Sequence, residues 1–237
     1  MSPVVMRRLA AAAVCALQTL TGASARAAGV SCHCFRDREY DPAHPVASDV
    51  FLLATASNTL LAAVAGIPKR EIVQARMSGT GGEDLWIAAH AARRPGGDAR
   101  RVLQARAGAA SWRDFFGAKG GDLEALGPRF VAALAAGADD ATLARIAAAE
   151  TLAGRIGTPW DQLDALAGLG ATYQEMIAAS LIGHWAGRAA PEVMATARSG
   201  VGWSSQLAAL GKVPKSMDTE IPALLAAPRG RTETPPR

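Results

Sequence analysis

One short segment recurs three times along this chain, and this repetition restricts the fold more than any other feature of the sequence. The copies are residues 70–76, 101–106 and 192–198, and each ends in Ala-Arg with a glycine two or three residues further on. The similarity continues past two of these glycines to Trp112 and Trp203. A unit this short cannot bury its apolar side alone and has to stack on a neighbouring unit.

The repetition predicts a unit of two helices joined by a short turn, with an aromatic residue opening the next helix. A weaker copy runs from Leu163 to Tyr173, where tyrosine replaces the tryptophan. We predict two tandem pairs of such helical hairpins, at residues 49–120 and 144–227, joined by a helical segment at residues 121–143. The pairs form either two similar lobes or a short array that resembles an α-solenoid.

Alanine dominates the composition, and aromatic residues make up only 5% of the chain. Alanine, leucine, arginine and glutamate lose little side-chain freedom in a helix, whereas strands favour branched and aromatic side chains. The chain is therefore predicted to be all-α. Asp98 and Asp140 are predicted to cap the helices that follow them, and Thr172 with Glu175 has the spacing of a capping box.

The first residues are typical of a secretory signal peptide. Arg7 and Arg8 precede an apolar run at residues 9–20, and small residues follow at 23–28. The run is shorter than the roughly 20 residues that a membrane-spanning helix needs. We predict a Sec-type signal peptide at residues 1–27, and a mature protein in the periplasm or outside the cell.

The basic character of the full chain comes largely from its ends. Lysine and arginine number 25 against 21 acidic residues, but residues 1–27 contain Arg7, Arg8 and Arg26 and no acidic residue. The mature chain is therefore close to neutral, so its charge does not predict a nucleic-acid partner. The last residues, 228–237, contain three prolines and no large apolar side chain, and we predict that they are disordered.

An uncharged segment at residues 50–68 has two interpretations. Its length fits a membrane helix, but Thr55, Ser57 and Asn58 weaken it as a surface that faces lipid. A helix buried in the protein core is the favoured interpretation, and we expect no stable membrane span in the mature chain.

Residues 28–48 are predicted to form an extended arm, because they are rich in proline and show no helical periodicity. This arm contains Cys32, His33 and Cys34, the most distinctive chemical group in the sequence. Cys15 is removed with the signal peptide, which leaves two cysteines in an oxidising compartment.

Three hypotheses fit Cys32, His33 and Cys34. The favoured one is a structural disulfide, either between Cys32 and Cys34 or between two chains, although the small ring within one chain would be strained. The second is a Cu or Zn site, because thiolate and imidazole suit these metals, with His44 as a further candidate ligand. The third is thiol exchange, since a strained disulfide is easily reduced.

Aromatic and basic residues also recur at equivalent places. We predict that the aromatic side chains are core wedges and not a ligand platform; they are Trp86, Trp112, Trp160, Tyr173, Trp185 and Trp203. Arg76, Arg106 and Arg198 fall in the last turn of each repeated helix, where a cation complements the helix dipole. Their alternative role is a stripe that binds an anionic partner.

The sequence contains no recognisable catalytic motif. His90 and His184 are isolated on alanine-rich segments, and we predict that each is a surface residue or a satisfied core residue. Neither lies in a nucleophile motif, and the chain has no phosphate-binding loop, dinucleotide-binding glycine pattern or HExxH metal motif. This favours a noncatalytic role, although a site assembled from scattered residues stays open.

Two stretches resemble uncharacterised exported proteins of bacteria. The first is Gly-Val-Gly-Trp at residues 200–203, followed by Leu-Gly at 210–211 and Pro-Lys-Ser at 214–216. The second is Cys-His-Cys-Phe-Arg-Asp-Arg-Glu-Tyr-Asp-Pro at residues 32–42 with Asp-Leu-Trp-Ile at 84–87, which is similar to secreted proteobacterial proteins. The resemblance implies export and helical structure, and it implies no particular activity.

These observations lead to two functional hypotheses. The favoured one is an exported helical-repeat protein with a noncatalytic binding or structural role, whose partner is a protein or an envelope polymer and which needs no cofactor. The alternative is a metal-handling or thiol-redox protein that acts through Cys32, His33 and Cys34.

Overall fold

The alanine-rich segments fold into helices throughout the computed structural model, which describes residues 45–93, 97–119 and 123–227. Twelve α-helices and no strand lie within those residues, so the all-α prediction is confirmed. The helices are α1 Pro45–Ala65, α2 Lys69–Met77, α3 Gly82–Ala91, α4 Ala99–Arg106, α5 Trp112–Lys119, α6 Pro128–Ala135, α7 Asp140–Thr151, α8 Trp160–Gly168, α9 Tyr173–Ala186, α10 Ala190–Arg198, α11 Trp203–Ala209 and α12 Met217–Ala226.

Three short helical elements complete these residues. Two are 3₁₀ turns, Glu124–Leu126 and Pro214–Ser216, and the third is a π-helical turn, Leu152–Ile156, that continues α7. All of them belong to one compact unit, Ser31–Arg237. The predictions for the signal peptide, for Cys32, His33, Cys34 and His44, and for the tail at residues 228–237 lie outside the described residues.

Two of the three predicted helix caps are found in the structure. The Asp98 carboxylate accepts a hydrogen bond from the Arg100 backbone N–H over 2.9 Å, and Thr172 forms a complete capping box with Glu175 at the start of α9. The predicted cap of α7 is wrong by one residue. Asp139 is the cap, because its backbone is extended and its carboxylate accepts from the Thr142 N–H over 2.8 Å.

Two predicted boundaries also need correction. The extended arm was predicted to reach residue 48, but α1 already begins at Pro45, since proline is well tolerated in the first turn of a helix. The boundary at residue 143 between the connecting helical segment and the second pair falls inside a helix, because α7 runs from Asp140 to Thr151, close to the start that the predicted cap at Asp140 indicates.

The core lies where α1, α3, α7 and α9 pack together. α3 packs on α7, α7 on α9, and α9 on α1. Alanine side chains allow the backbones to approach closely, as at the fully buried Ala88, Ala147 and Ala178. Larger side chains such as Ile87 and Ile177 fill the remaining space and are also fully buried.

Helix α1 is long and apolar enough, by length and composition alone, to cross a membrane over Ala47–Ala65. In this fold it packs against α9, α11 and α12, and 56% of its most apolar window is buried. Its polar side chains are buried as well, and the Ser57 hydroxyl accepts a hydrogen bond from Trp86 Nε1 over 3.0 Å. This packing supports the prediction of a buried core helix.

Two of the repeated turns close with the same pair of hydrogen bonds. After α2, the Thr80 N–H donates to the Ala75 carbonyl, and Gly79 donates to Arg76. After α8, Ala171 and Gly170 donate to carbonyls at the same spacings. Both glycines have positive φ, as this helix ending requires. The turns are equivalent locally, and the larger repeat architecture stays a prediction.

Asp49 in α1 caps a helix that lies far away in sequence. The residue before α11 is Gly202, which has no side chain to accept a hydrogen bond. The Asp49 carboxylate instead accepts from the backbone N–H groups of Trp203 and Ser204, at 3.1 and 2.7 Å, and from the Ser204 hydroxyl. A Cβ on Gly202 would lie 2.4 Å from Asp49 Oδ2, so this close approach needs glycine.

We expect Asp49→Ala to lower the free energy of unfolding by about 1–2 kcal/mol, because two N–H groups of α11 lose their acceptor. Urea denaturation followed by circular dichroism measures the change. The control is Asp161→Ala, which removes an exposed acid from the first turn of α8 and should cost less than about 0.5 kcal/mol. Equal losses in the two variants would contradict the capping role of Asp49.

Candidate functional site

A cleft of about 610 Å³ opens between the C-terminal half of α1, the helix α12 and the π-helical turn. Its walls are mostly apolar, and they are formed by Ala62, Ala63, Ile67, Pro222, Leu225 and Ala226. Four polar side chains also line it: Thr59, Lys69, Arg155 and Asp218. Its volume lies within the range of about 300–1,000 Å³ that is typical of small-molecule sites.

Asp218 links the helices α1, α2 and α12 at the cleft. Its Oδ1 accepts a hydrogen bond from the Thr59 hydroxyl over 2.7 Å and from Lys69 Nζ over 2.5 Å. Thr59 lies on α1, Lys69 begins α2 and Asp218 lies in the first turn of α12. The Lys69 and Asp218 side chains stay partly exposed, at 30% and 45%, so the pair faces the cleft and its charges largely cancel.

Arg155 also lines the cleft, and it lies in the π-helical turn. Here the Gly157 N–H reaches back five residues to the Leu152 carbonyl over 2.9 Å, and Gly157 has a φ of 86°. Arg155 is exposed, and in the part of the chain that the structure describes it forms no hydrogen bond or ion pair. Because π-helical turns occur often at functional sites, this turn and its unneutralised cation make the cleft the strongest candidate site.

A second irregular helix segment lines the same cleft. Pro222 lies in the interior of α12, where it has no N–H to donate to the Asp218 carbonyl four residues before it. Regular helix geometry is therefore interrupted on two sides of one concave surface. Such irregularity reduces local stability, and it fits a surface whose shape serves binding.

His90 is a core residue bonded through one of its two ring nitrogens. Its Nε2 lies 2.8 Å from the Leu126 carbonyl, while its buried Nδ1 has no partner among the residues that the structure describes. Because a carbonyl can only accept, the proton belongs on Nε2. The ring stacks on Phe130, with centroids 4.7 Å apart. Burial, assisted by the nearby Arg93 cation, lowers the pKa of His90 from 6.5 to about 4.

Glu150 lies beside His90 and holds the start of α6 in place. Its Oε2 is 3.8 Å from His90 Nε2 and 3.6 Å from Arg93 Nη1, and the carboxylate also accepts from the Phe130 backbone N–H. Burial raises the pKa of Glu150, although Arg93 and Arg129 oppose the shift. The groups around His90 are thus engaged with one another, and His90 itself is only 3% exposed.

The three repeated arginines bind groups of the protein itself. Arg76 Nη1 donates to Asn58 Oδ1 over 3.1 Å, and Arg198 Nη1 donates to the Leu169 carbonyl over 2.7 Å. The Arg106 guanidinium lies 5.4 Å from the centroid of the Trp112 ring. These contacts support the structural interpretation of the arginines over an anion-binding stripe.

The prediction that the aromatic residues are core wedges is correct for four of the six. Trp86, Trp112, Tyr173 and Trp203 are all buried. It is only partly correct for the other two, which pack against the core but are half-buried, with a cation over the outer face of each ring. Arg129 lies 4.0 Å from the ring centroid of Trp160, and Lys212 lies 5.2 Å from that of Trp185.

The remaining predicted residues are not brought to the cleft. His184 is exposed on α9, as a surface histidine should be. Among the residues whose placement is described, no group of three or more His, Cys, Asp or Glu side chains could hold a metal ion. The Cu or Zn site at Cys32, His33 and Cys34 lies outside those residues and stays a prediction.

Sequence reasoning did not identify Thr59, Lys69, Arg155 and Asp218 as neighbours. Thr59 and Asp218 are 159 positions apart, and no motif links them. One local signal was available, namely a proline at position 222 within an otherwise helical segment.

Comparison of the chain with models of protein families, with curated proteins and with solved structures finds no match. Its function must therefore be inferred from its own residues, and the cleft is where those residues offer an accessible concave surface.

Proposed function

We propose that this chain is an exported helical-repeat protein with a noncatalytic binding role in the periplasm or outside the cell. Its partner belongs to the envelope and is either a protein or a polymer, and no nucleic acid is involved. The observation that carries the proposal is the cleft between α1, α12 and the π-helical turn, which presents apolar walls together with Arg155, a cation without a partner among the described residues.

The N-terminal residues support the proposed export of the chain. A short apolar run behind Arg7 and Arg8, with small residues after it, is what a secretory signal peptide requires. The burial of much of α1 within the fold supports a mature chain without a stable membrane span.

The charged side chains of the cleft are accessible to a ligand, whereas the buried His90 is not. A general base needs contact with its substrate, but His90 is sealed in the core and hydrogen-bonded to a backbone carbonyl. Lys69, Asp218 and Arg155 are exposed to a ligand, and the Asp218 carboxylate is already paired with Lys69 and with the Thr59 hydroxyl. This contrast favours recognition over catalysis.

Site-specific photocrosslinking in cells tests the proposal. We expect a photoreactive amino acid in place of Ala63, inside the cleft, to give a discrete adduct with an envelope component. The same group in place of Arg101, which is 85% exposed on α4, should give at least about fivefold less adduct, since it lies on a charged surface away from the cleft. Equal adduct formation at both positions would count against a binding role for the cleft.

The alternative function is metal handling or thiol exchange through Cys32, His33 and Cys34, and three ligand-type side chains in succession favour it. Metal analysis of the exported protein, together with a free-thiol count, separates the two proposals. Stoichiometric Cu or Zn that disappears on Cys32→Ser replacement would support the alternative, whereas a metal-free disulfide would support the binding role alone.

A further inference from the structure

The charges of the cleft do not cancel. Lys69 and Asp218 form a pair with 2.5 Å between Nζ and Oδ1, and together they contribute almost no net charge. Arg155 has no partner within the described residues, so its positive charge remains. The cleft as a whole therefore favours a ligand with one negative charge.

The chemistry of the cleft walls restricts the uncharged part of that ligand. The Thr59 hydroxyl and the Asp218 carboxylate already bond to each other, and apart from Lys69 and Arg155 the remaining wall side chains are hydrocarbon. An extended peptide would bury several backbone N–H and C=O groups here, and each of them would need a partner. Among the described lining residues the polar side chains are Thr59, Lys69, Arg155 and Asp218, and three of these four already bond to one another. A hydrocarbon chain has no such requirement.

We infer that the cleft binds a single-chain anionic amphiphile, with its alkyl or acyl chain against Ala62, Ile67 and Leu225 and its anionic head group at Arg155. This inference rests on the proposed binding role of the cleft and adds to it a small ligand that is distinct from the protein or polymer partner. Lys69 also lines the cleft, where it adds a second cation whose charge is shared with Asp218. The cleft volume of about 610 Å³ is large enough for one such molecule and lies in the range of small-molecule sites.

Isothermal titration calorimetry with laurate, below its critical micelle concentration, tests the inference on the purified mature protein. We expect saturable binding of one laurate per chain. Dodecyltrimethylammonium has the same chain with the opposite charge and should bind at least about tenfold more weakly, because its head group meets Arg155. Acetate, which has the charge without the chain, should not bind measurably.

Two matched variants locate the site. Arg155→Gln should weaken laurate binding about five- to tenfold, the effect of losing one charge-assisted contact at a partly exposed position. Arg101→Gln removes an arginine outside the cleft and should leave the affinity unchanged. Arg155 is exposed, so its replacement should preserve the fold, and circular dichroism checks this. Ala63→Phe gives an independent test, because a ring in the cleft should exclude the chain.

The outcomes distinguish this inference from the proposed function. If laurate fails to bind, or binds no better than its cationic analogue, the ligand class is wrong even if crosslinking at position 63 succeeds. Equal losses from Arg155→Gln and Arg101→Gln would also overturn it. If crosslinking fails while laurate binds with the expected dependence on Arg155, the inferred ligand class is supported and the proposed envelope partner is contradicted.

Discussion

Replacement of Trp112 by alanine is expected to lower the free energy of unfolding by about 3–5 kcal/mol. Trp112 opens α5 and has no exposed surface. Its ring packs against Phe115 and Phe116, with centroids 5.5 and 5.7 Å away, and its Nε1 donates to Asp84 Oδ1 over 2.7 Å. Since domains are stable by only about 5–15 kcal/mol, this one substitution removes a large part of the stability.

Urea unfolding followed by circular dichroism measures this loss, and Trp185→Ala is the matched control. Trp185 is half-buried, with Lys212 over its ring, so the same change of side chain should cost less than half as much. Trp112→Phe should recover most of the stability, because it keeps an aromatic ring and loses only the hydrogen bond to Asp84. Similar losses for Trp112→Ala and Trp185→Ala would show that Trp112 is not a core wedge.

The parts of the fold that depend on near neighbours can be predicted from the sequence. A helix cap is decided within about four residues, and Asp98 and the pair Thr172 and Glu175 behave as their spacing predicts. The exception is instructive, because Asp139 and Asp140 are equally suitable as caps. Only the packing of α7 determines which of them takes the extended backbone conformation.

Features that depend on tertiary contacts could not be predicted. The π-helical turn has an ordinary helical composition, and the cover of Trp160 by Arg129 joins two helices that are separate in sequence. The cleft is the extreme case, because Thr59, Lys69, Arg155 and Asp218 meet only after α12 has packed against α1 and the π-helical turn. No local pattern marks these residues as partners.

Stability should also fall in mild acid, because of His90. Its folded-state pKa is lowered to about 4 from the usual 6.5, mainly by burial and also by Arg93. Between these two values the unfolded chain binds a proton that the folded chain does not, so the free energy of unfolding rises with pH. The contribution is fully present above pH 6.5 and is lost as the pH falls to about 4, at a total cost of about 3 kcal/mol.

The residues around His90 do not reverse this increase of the unfolding free energy with pH over most of the interval between the two pKa values. Arg93 disfavours the imidazolium, and the hydrogen bond to the Leu126 carbonyl raises the pKa of His90 without reversing its overall decrease. Phe130 stacks on the ring and carries no charge. Glu150 acts in the opposite direction, because burial raises the pKa of its carboxyl group. The folded chain therefore binds that proton more readily than the unfolded chain, which partly offsets the loss at the acid end of the window.

Urea unfolding measured at several pH values between 4.5 and 7.5 checks this expectation. His90→Gln keeps a side-chain N–H that can donate to the Leu126 carbonyl and removes the titrating ring, so the increase in unfolding free energy with pH should become much smaller. His184→Gln removes an exposed histidine on α9 and should leave the increase as in the parent. If the parent and His90→Gln respond equally to pH, the acid sensitivity arises elsewhere, and the buried neutral imidazole does not control it.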